Sequence, residues 1–311
     1  MGKIAFVFPG QGSQIVGMGK DFYENIEESK KIFDEANNIL NFDIKKLCFE
    51  GPKNELDITE NTQPALLTCS IAILKAVESL NIKPDVVAGL SLGEYSALVC
   101  SGAIEFKDAL QLVKKRGWLM QNAVPIGQGG MAAILGLESK KVESICTELK
   151  DLGCIEIANF NCPGQIVIGG QINLVDTAIE MALNLGAKRA IKLSVSAPFH
   201  TSMLKGIQKK FSDELKNVKI EKNRVPVVTN VDAEYMKEIR PTLEKQIVSS
   251  VMWEQCVEKM INDGVDTFIE IGPSKTLSSF IKKINKDMKV FNVSDIQSLS
   301  KLESEIKEDL C

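Results

Sequence analysis

Histidine occurs once in the 311 residues, at position 200. One imidazole cannot build a multi-histidine metal centre, and no Cys/His spacing suggests zinc. If the chain carries general-base chemistry of the usual neutral-pH kind, His200 is the sole imidazole available for it. No apolar run approaches the ~18 residues that span a bilayer. The apolar stretch in MGKIAFVFPG is too short for a secretory signal, and Phe6 stands where N-myristoylation needs Ser or Thr. An excess of positive charge is missing too. The 37 Lys+Arg and 41 Asp+Glu leave a net charge of −4, so there is no global field for nucleic acid and only a local basic patch remains open. The eight cysteines (Cys48, Cys69, Cys100, Cys146, Cys154, Cys162, Cys256 and Cys311) never form C-x-x-C. Together with the short N-terminal apolar stretch, this points to reduced, mostly buried thiols in the cytoplasm.

What is present is ordinary for a globular chain: 44% hydrophobic and 25% charged residues. The length suits one large domain or one domain carrying an insertion. KIAFVF (3–8) reads as a buried strand closed by Pro-Gly, and DVVAGLS (85–91) as a second. Helical patterns occupy 20–40, 64–80, GEYSALVCSG and 106–123. Strands alternating with helices predict an α/β domain with a mostly parallel sheet. From about 126 to 196 the pattern changes. GGMAAILGL, SKKVESICTELKDLG, the two runs around Asn-Cys-Pro-Gly, INLVDTAIEMALNLG and AKRAIKLSV give the order β-α-β-β-α-β, a ferredoxin-like unit. We read residues 126–196 as a small subdomain inserted into a larger one formed by 1–125 and 197–311. In the larger part VPVVTNV (225–231) and DTFIEIG (266–272) read as strands and SVMWEQCVEKMINDG as a helix. The tail SLSKLESEIKEDLC is a charged helix or a frayed end.

Residues 89–93 read GLSLG, a G-x-S-x-G between a strand and a helix. A turn built from common turn residues would look the same. A nucleophile elbow would present the Ser91 hydroxyl above the sheet with the N–H of Leu92 and a helix N-terminus beside it. FPGQGSQ (8–14) is a Gly-rich loop that is neither a P-loop nor G-x-G-x-x-G, because Ile15 holds the third glycine position. It is either a plain turn or the source of a second oxyanion donor. His200, in SAPFHTSML, follows the small unit and so falls near a cleft between lobes, as a base or as a structural histidine. No carboxylate between Ser91 and His200 stands out as a third member; Asp108, Glu156 and Asp176 lie in surface-like patterns. Arg116, in VKKRGWLM, belongs to a solvated basic face or offers a planar two-point contact for a carboxylate.

Taken together the residues resemble the malonyl-CoA:acyl carrier protein transacylases over nearly the whole chain. The match rests on FVFPGQGSQ (6–14), TQPALLT (62–68), GLSLGEYSALVCSG (89–102), RGWLMQ (116–121), NFNCPGQIVIGG (159–170), SAPFHTSML (196–204), VPVVTNVDA (225–233) and EIGPSKTL (270–277). The resemblance implies a hydrolase-like large subdomain with a mostly parallel sheet plus the inserted ferredoxin-like one. It implies Ser91 as nucleophile, His200 as base, the N–H groups of Gln11 and Leu92 as oxyanion hole, and Arg116 as clamp for the malonyl carboxylate. It also implies a carbonyl-bearing residue orienting the histidine, best matched by Gln246. Phe199 would pack against the acyl group; in the family a bulky residue there goes with malonyl and a small one with methylmalonyl. Leu90 departs from the histidine common before the serine, Ser250 stands where proline is common, and Cys162 where Ser or Ala is. The implied substrates are malonyl-CoA and acyl carrier protein, with no metal or bound cofactor, no membrane and no nucleic acid, in a cytoplasmic monomer. Such carrier proteins are acidic, so a local basic patch is expected, with Lys188, Arg189 and Lys275 as candidates by charge. A serine hydrolase acting on acyl-CoA shares the elbow and is the alternative.

Overall fold

The structure is a computed structural model that describes residues 2–195 and 197–310. Ser196, the first residue of SAPFHTSML, and Cys311 lie outside the described residues. The strands are β1 Lys3–Phe8, β2 Val86–Gly89, β3 Gly129–Leu135, β4 Ile155–Cys162, β5 Gln165–Gln171, β6 Arg189–Lys192, β7 Val227–Val228, β8 Val251–Met252, β9 Val265–Ile271 and β10 Lys289–Val293. Two sheets result. The first runs β10-β9-β1-β2-β7 and is parallel throughout. The second runs β6-β3-β5-β4-β8, antiparallel except where β8 joins β4.

The first sheet is parallel because helices cover both its faces, and the sequence shows it in β1, buried from Ile4 to Phe8. Its side chains divide by the two-residue period of a strand. Ile4, Phe6 and Phe8 enter one apolar cluster with Val87 and the long helix Thr59–Glu78; Ala5 and Val7 enter another with Val86, Ala88 and Trp253. The helix Thr59–Glu78 is buried nearly all round, as a helix at the centre of a domain must be. It packs against the helix Phe106–Gln121, so residues from both reach the carboxyl ends of β1 and β2. The second sheet has its own core, Ala132, Ile134, Ile155, Ile157, Ile166 and Ile168, under the helices Ser139–Leu149 and Ile172–Asn184.

The α/β class and the ferredoxin-like order are present, with differences that have physical causes. The strand expected over 225–231 is only Val227–Val228. Beyond it Ala233 turns at φ 54°, and the chain doubles back so that Val228 bridges Tyr235. Strand β10 was not read from sequence, and β8 completes the smaller sheet from outside 126–196. The 20–40 pattern is two helices, Lys20–Asn25 and Glu27–Leu40, broken at extended Ile26. The helix read from 64 begins at Thr59 and carries Pro64 inside it. The tail is a helix, Ile296–Leu310. Two polar ties fasten β4 of the smaller sheet to segments outside 126–196. The Ser202 N–H donates to Glu156 Oε2 (2.9 Å), and Ser250 Oγ donates to the Ile157 carbonyl (2.6 Å).

Candidate active site

GLSLG joins β2 to the helix Gly93–Cys100, and its two glycines are there for space. A Cβ on Gly89 would sit 1.9 Å from the Gly93 carbonyl carbon, and a Cβ on Gly93 would sit 2.0 Å from the Phe8 carbonyl oxygen. Strand, turn and helix therefore pack backbone to backbone, which only glycine permits. Between them Ser91 holds φ 53°, a left-handed conformation unusual for a residue with a Cβ. Leu90 makes its support through the backbone: its N–H donates to the Phe8 carbonyl at 3.0 Å. The turn is thus a sharp elbow above the carboxyl end of the parallel sheet, where open α/β sheets place their sites.

Ser91 Oγ lies 2.7 Å from His200 Nε2. The other ring nitrogen, Nδ1, lies 2.9 Å from the backbone carbonyl of Gln246, a group that can only accept. Nδ1 therefore carries the proton and donates, leaving Nε2 as the acceptor facing the serine hydroxyl. No acid is needed for this orientation. Gln246 does it with its main chain, while its side chain reaches elsewhere: Nε2 donates to the Ser91 carbonyl at 3.1 Å. Burial, helped by the positive charge of Arg116, lowers the His200 pKa to about 4, so the ring is neutral at pH 7.

Arg116 is buried rather than part of a solvated face; only 1% of it is exposed. Its Nη2 donates to Ser91 Oγ (3.1 Å) and to Gln246 Oε1 (2.9 Å), and Nη1 donates to Gln63 Oε1 (2.9 Å). The guanidinium also lies over the Tyr95 ring, 5.2 Å from its centroid. Its Nε is buried without a partner among the described residues, and no carboxylate there forms an ion pair with it. Burial lowers its pKa, yet a guanidinium stays charged. A desolvated cation whose hydrogen-bond acceptors are all neutral is costly; the nearby Glu94 offsets part of that through space, and the guanidinium sits beside the Ser91 hydroxyl.

Three partners escaped the sequence reading: Gln63, Asn230 and Glu94. Asn230 Oδ1 accepts the Ser91 N–H at 2.6 Å, and Asn230 Nδ2 donates to the Gly89 carbonyl at 2.7 Å. Glu94, fully buried, accepts the Asn230 N–H on Oε2 at 2.8 Å. Burial raises the Glu94 pKa to about 7 against the opposing effect of that N–H. The one available signal was Glu94 inside an otherwise apolar helix start, and it named no partner.

Ser91, Leu92, Arg116, Phe199, His200, Gln11 and Gln63 line one cleft of about 420 Å³ between the two sheets. Its far wall is Asn159 and Asn161 of β4 with Met131 and Val167. Among the described residues, the backbone N–H groups of Gln11 and Leu92 find no internal acceptor, as a pair reserved for a developing oxyanion would not. Phe199 is 6% exposed and belongs both to the cleft lining and to the main core cluster. Cys162, expected in a turn, is the fully buried last residue of β4, and burial pushes its thiol up to about 11.

Residues 5–309 match the acyl transferase domain family. A Bacillus subtilis protein named malonyl CoA-acyl carrier protein transacylase is 47% identical over 313 aligned residues, covering 99% of each chain. The crystal structure of a malonyl CoA-acyl carrier protein transacylase from Clostridium perfringens superposes with a TM-score of 0.95 at 48% identity, covering 98% of each chain. A malonyl-transacylase solved in complex with a type II PKS acyl-carrier protein superposes with a TM-score of 0.95 at 39% identity, covering 97% of this chain and 99% of that one.

Proposed function

Because the chain belongs to the acyl transferase family of malonyl CoA-acyl carrier protein transacylases, we propose that it moves malonyl from malonyl-CoA to the phosphopantetheine thiol of acyl carrier protein through a malonyl-Ser91 ester, for fatty acid elongation. The observation that carries the acyl specificity is Arg116. Its buried guanidinium lies 3.1 Å from the nucleophile oxygen with no carboxylate partner among the described residues, so an acyl group bearing a carboxylate completes it.

In the first half-reaction His200 Nε2 takes the Ser91 proton as Oγ bonds to the thioester carbonyl carbon. The oxyanion forms against the N–H groups of Gln11 and Leu92. The carbon–sulfur bond then breaks, and the sulfur leaves with the proton from His200 as CoA thiol. In the second half the carrier thiol gives its proton to His200, and its sulfur attacks the seryl ester. Ser91 Oγ departs and recovers the proton. Protons and electron pairs balance in each half, and CoA is a substrate rather than a resident cofactor. No described helix is long and apolar enough to cross a membrane, and the free thiols suit a reducing cytoplasm.

The test is a two-step incubation. Enzyme treated with malonyl-CoA is freed of CoA and then given holo acyl carrier protein. Malonyl appearing on the carrier supports the reading. Free malonate released at the same rate without the carrier would make the protein a thioesterase instead.

A further inference from the structure

We propose that Asn230 is a positioning residue for acylation, a side-chain clamp that grips the strand side of the Ser91 elbow at two points, and that Glu94 is the anchor that fixes it. The inference rests on Ser91 being the nucleophile.

The elbow has a mechanical problem. Ser91 holds φ 53°, outside the conformations favoured for a residue with a Cβ, and its hydroxyl has to stay in line with His200. Left-handed non-glycine residues persist only where surrounding contacts over-determine them. Gln246 Nε2 holds the Ser91 carbonyl on the helix side of the turn, and on the strand side one side chain makes two contacts. Asn230 Oδ1 takes the Ser91 N–H, and Asn230 Nδ2 gives to the carbonyl of Gly89, two residues earlier. Both partners are backbone groups of fixed polarity, so they assign the amide orientation unambiguously. An amide is required, since a carboxylate cannot donate to Gly89 and an amine cannot accept from Ser91.

A clamp must itself be fixed, and the backbone of Asn230 is. Its N–H donates to Glu94 Oε2 at 2.8 Å, and its carbonyl accepts the Met252 N–H at 2.9 Å. Glu94 is in the first turn of the helix that the elbow starts, and Met252 belongs to β8, the strand that joins the smaller sheet. Asn230 thus ties the nucleophile turn to its own helix and to the edge of the other lobe. It touches neither His200 nor Arg116 through any of these four bonds, and it is absent from the cleft lining. Its effect is therefore on where Ser91 Oγ sits, not on substrate binding.

The test is single-turnover acylation by malonyl-CoA, resolved into the maximal rate and the dissociation constant. Asn230→Ala should lower the maximal rate about ten- to a hundredfold, the scale of a small misplacement of a reacting atom. The dissociation constant should stay within about threefold. Asn230→Asp should be no better than alanine. The anchor gives an independent arm if those variants do not fold: Glu94→Ala should lose rate in the same way, and Glu94→Gln, which still offers an oxygen to the Asn230 N–H, should recover most of the loss. A maximal rate within twofold of wild type in Asn230→Ala overturns the clamp. So does a loss confined to binding, or a Glu94→Gln as slow as Glu94→Ala. Failure of wild-type enzyme to form any malonyl-serine is a different result and removes the nucleophile assignment itself.

Discussion

Replacing Arg116 by alanine should change acyl preference, and the size of the change follows from what the guanidinium already touches. Each charge-assisted hydrogen bond to a malonyl carboxylate is worth about 1.5–3 kcal/mol, and a two-point contact makes two. The same N–H groups now donate to Gln63 Oε1, Gln246 Oε1 and Ser91 Oγ at 2.9, 2.9 and 3.1 Å. Truncating one partner of a buried, hydrogen-bonded charge pair costs about 2–5 kcal/mol. The bonds to Gln63 and Gln246 that the charged donor gives up take back part of that, which leaves the lower end, about 2–3 kcal/mol or roughly 30- to 150-fold in rate. Arg116→Ala also strands the Gln63 and Gln246 carbonyls and frees the serine hydroxyl, but those losses fall on every acyl donor and cancel in a ratio. The assay is therefore kcat/KM for malonyl-CoA divided by kcat/KM for acetyl-CoA, measured on wild type and variant. The ratio should fall by the factor above, and Arg116→Lys should recover part of it, lacking the planar fork. A ratio within threefold of wild type, however inactive the variant, would show that Arg116 supports the fold and not the carboxylate.

With His200 lowered to about 4, acylation by acetyl-CoA should hold level from pH 7 to about 5 and fall as the ring protonates near 4. Arg116→Ala should move that acid limb to higher pH by removing a cationic neighbour; a wild-type limb near 6.5 contradicts the burial argument. Phe199→Ser should narrow the preference for malonyl-CoA over methylmalonyl-CoA, since excluding one methyl is worth roughly 10- to 200-fold. A lower melting midpoint with an unchanged ratio would make Phe199 a core residue only. Glu94 has a folded pKa raised to about 7, so the folded state holds a proton that the unfolded chain releases above its ordinary 4.5. Its stabilising effect is full below 4.5 and is lost as pH rises through 7, by up to about 3 kcal/mol. The stability of Glu94→Gln relative to wild type, from urea titrations, should therefore climb between pH 5 and pH 8; a flat difference refutes the raised pKa.

Local chemistry makes part of the fold and of the site legible in the sequence. The central parallel strands β1 and β2 are continuous apolar runs, the elbow is spelled by two glycines around one serine, and a lone imidazole leaves no choice of histidine. What could not be read is long-range. Ser91 meets Asn230 across 139 positions and Gln246 Nε2 across 155, and neither pairing leaves a periodic trace in a single sequence. The short β7 and β8 fail for another reason: two-residue strands are set by partners, not by propensity. Arg116 shows the limit most clearly. Its basic neighbours suggest a wet face equally well, and only the packing of the helix Phe106–Gln121 on Thr59–Glu78 turns it inward.

The claim at the centre is that Ser91 carries malonyl between two thiols. Rapid-quench mass spectrometry of the intact protein with malonyl-CoA, followed by peptide mapping, tests it directly. Wild type should gain one malonyl group, mapped to Ser91 and lost on adding holo acyl carrier protein, and Ser91→Ala should gain none. Malonyl on any other residue, or a covalent adduct in Ser91→Ala, would contradict the account.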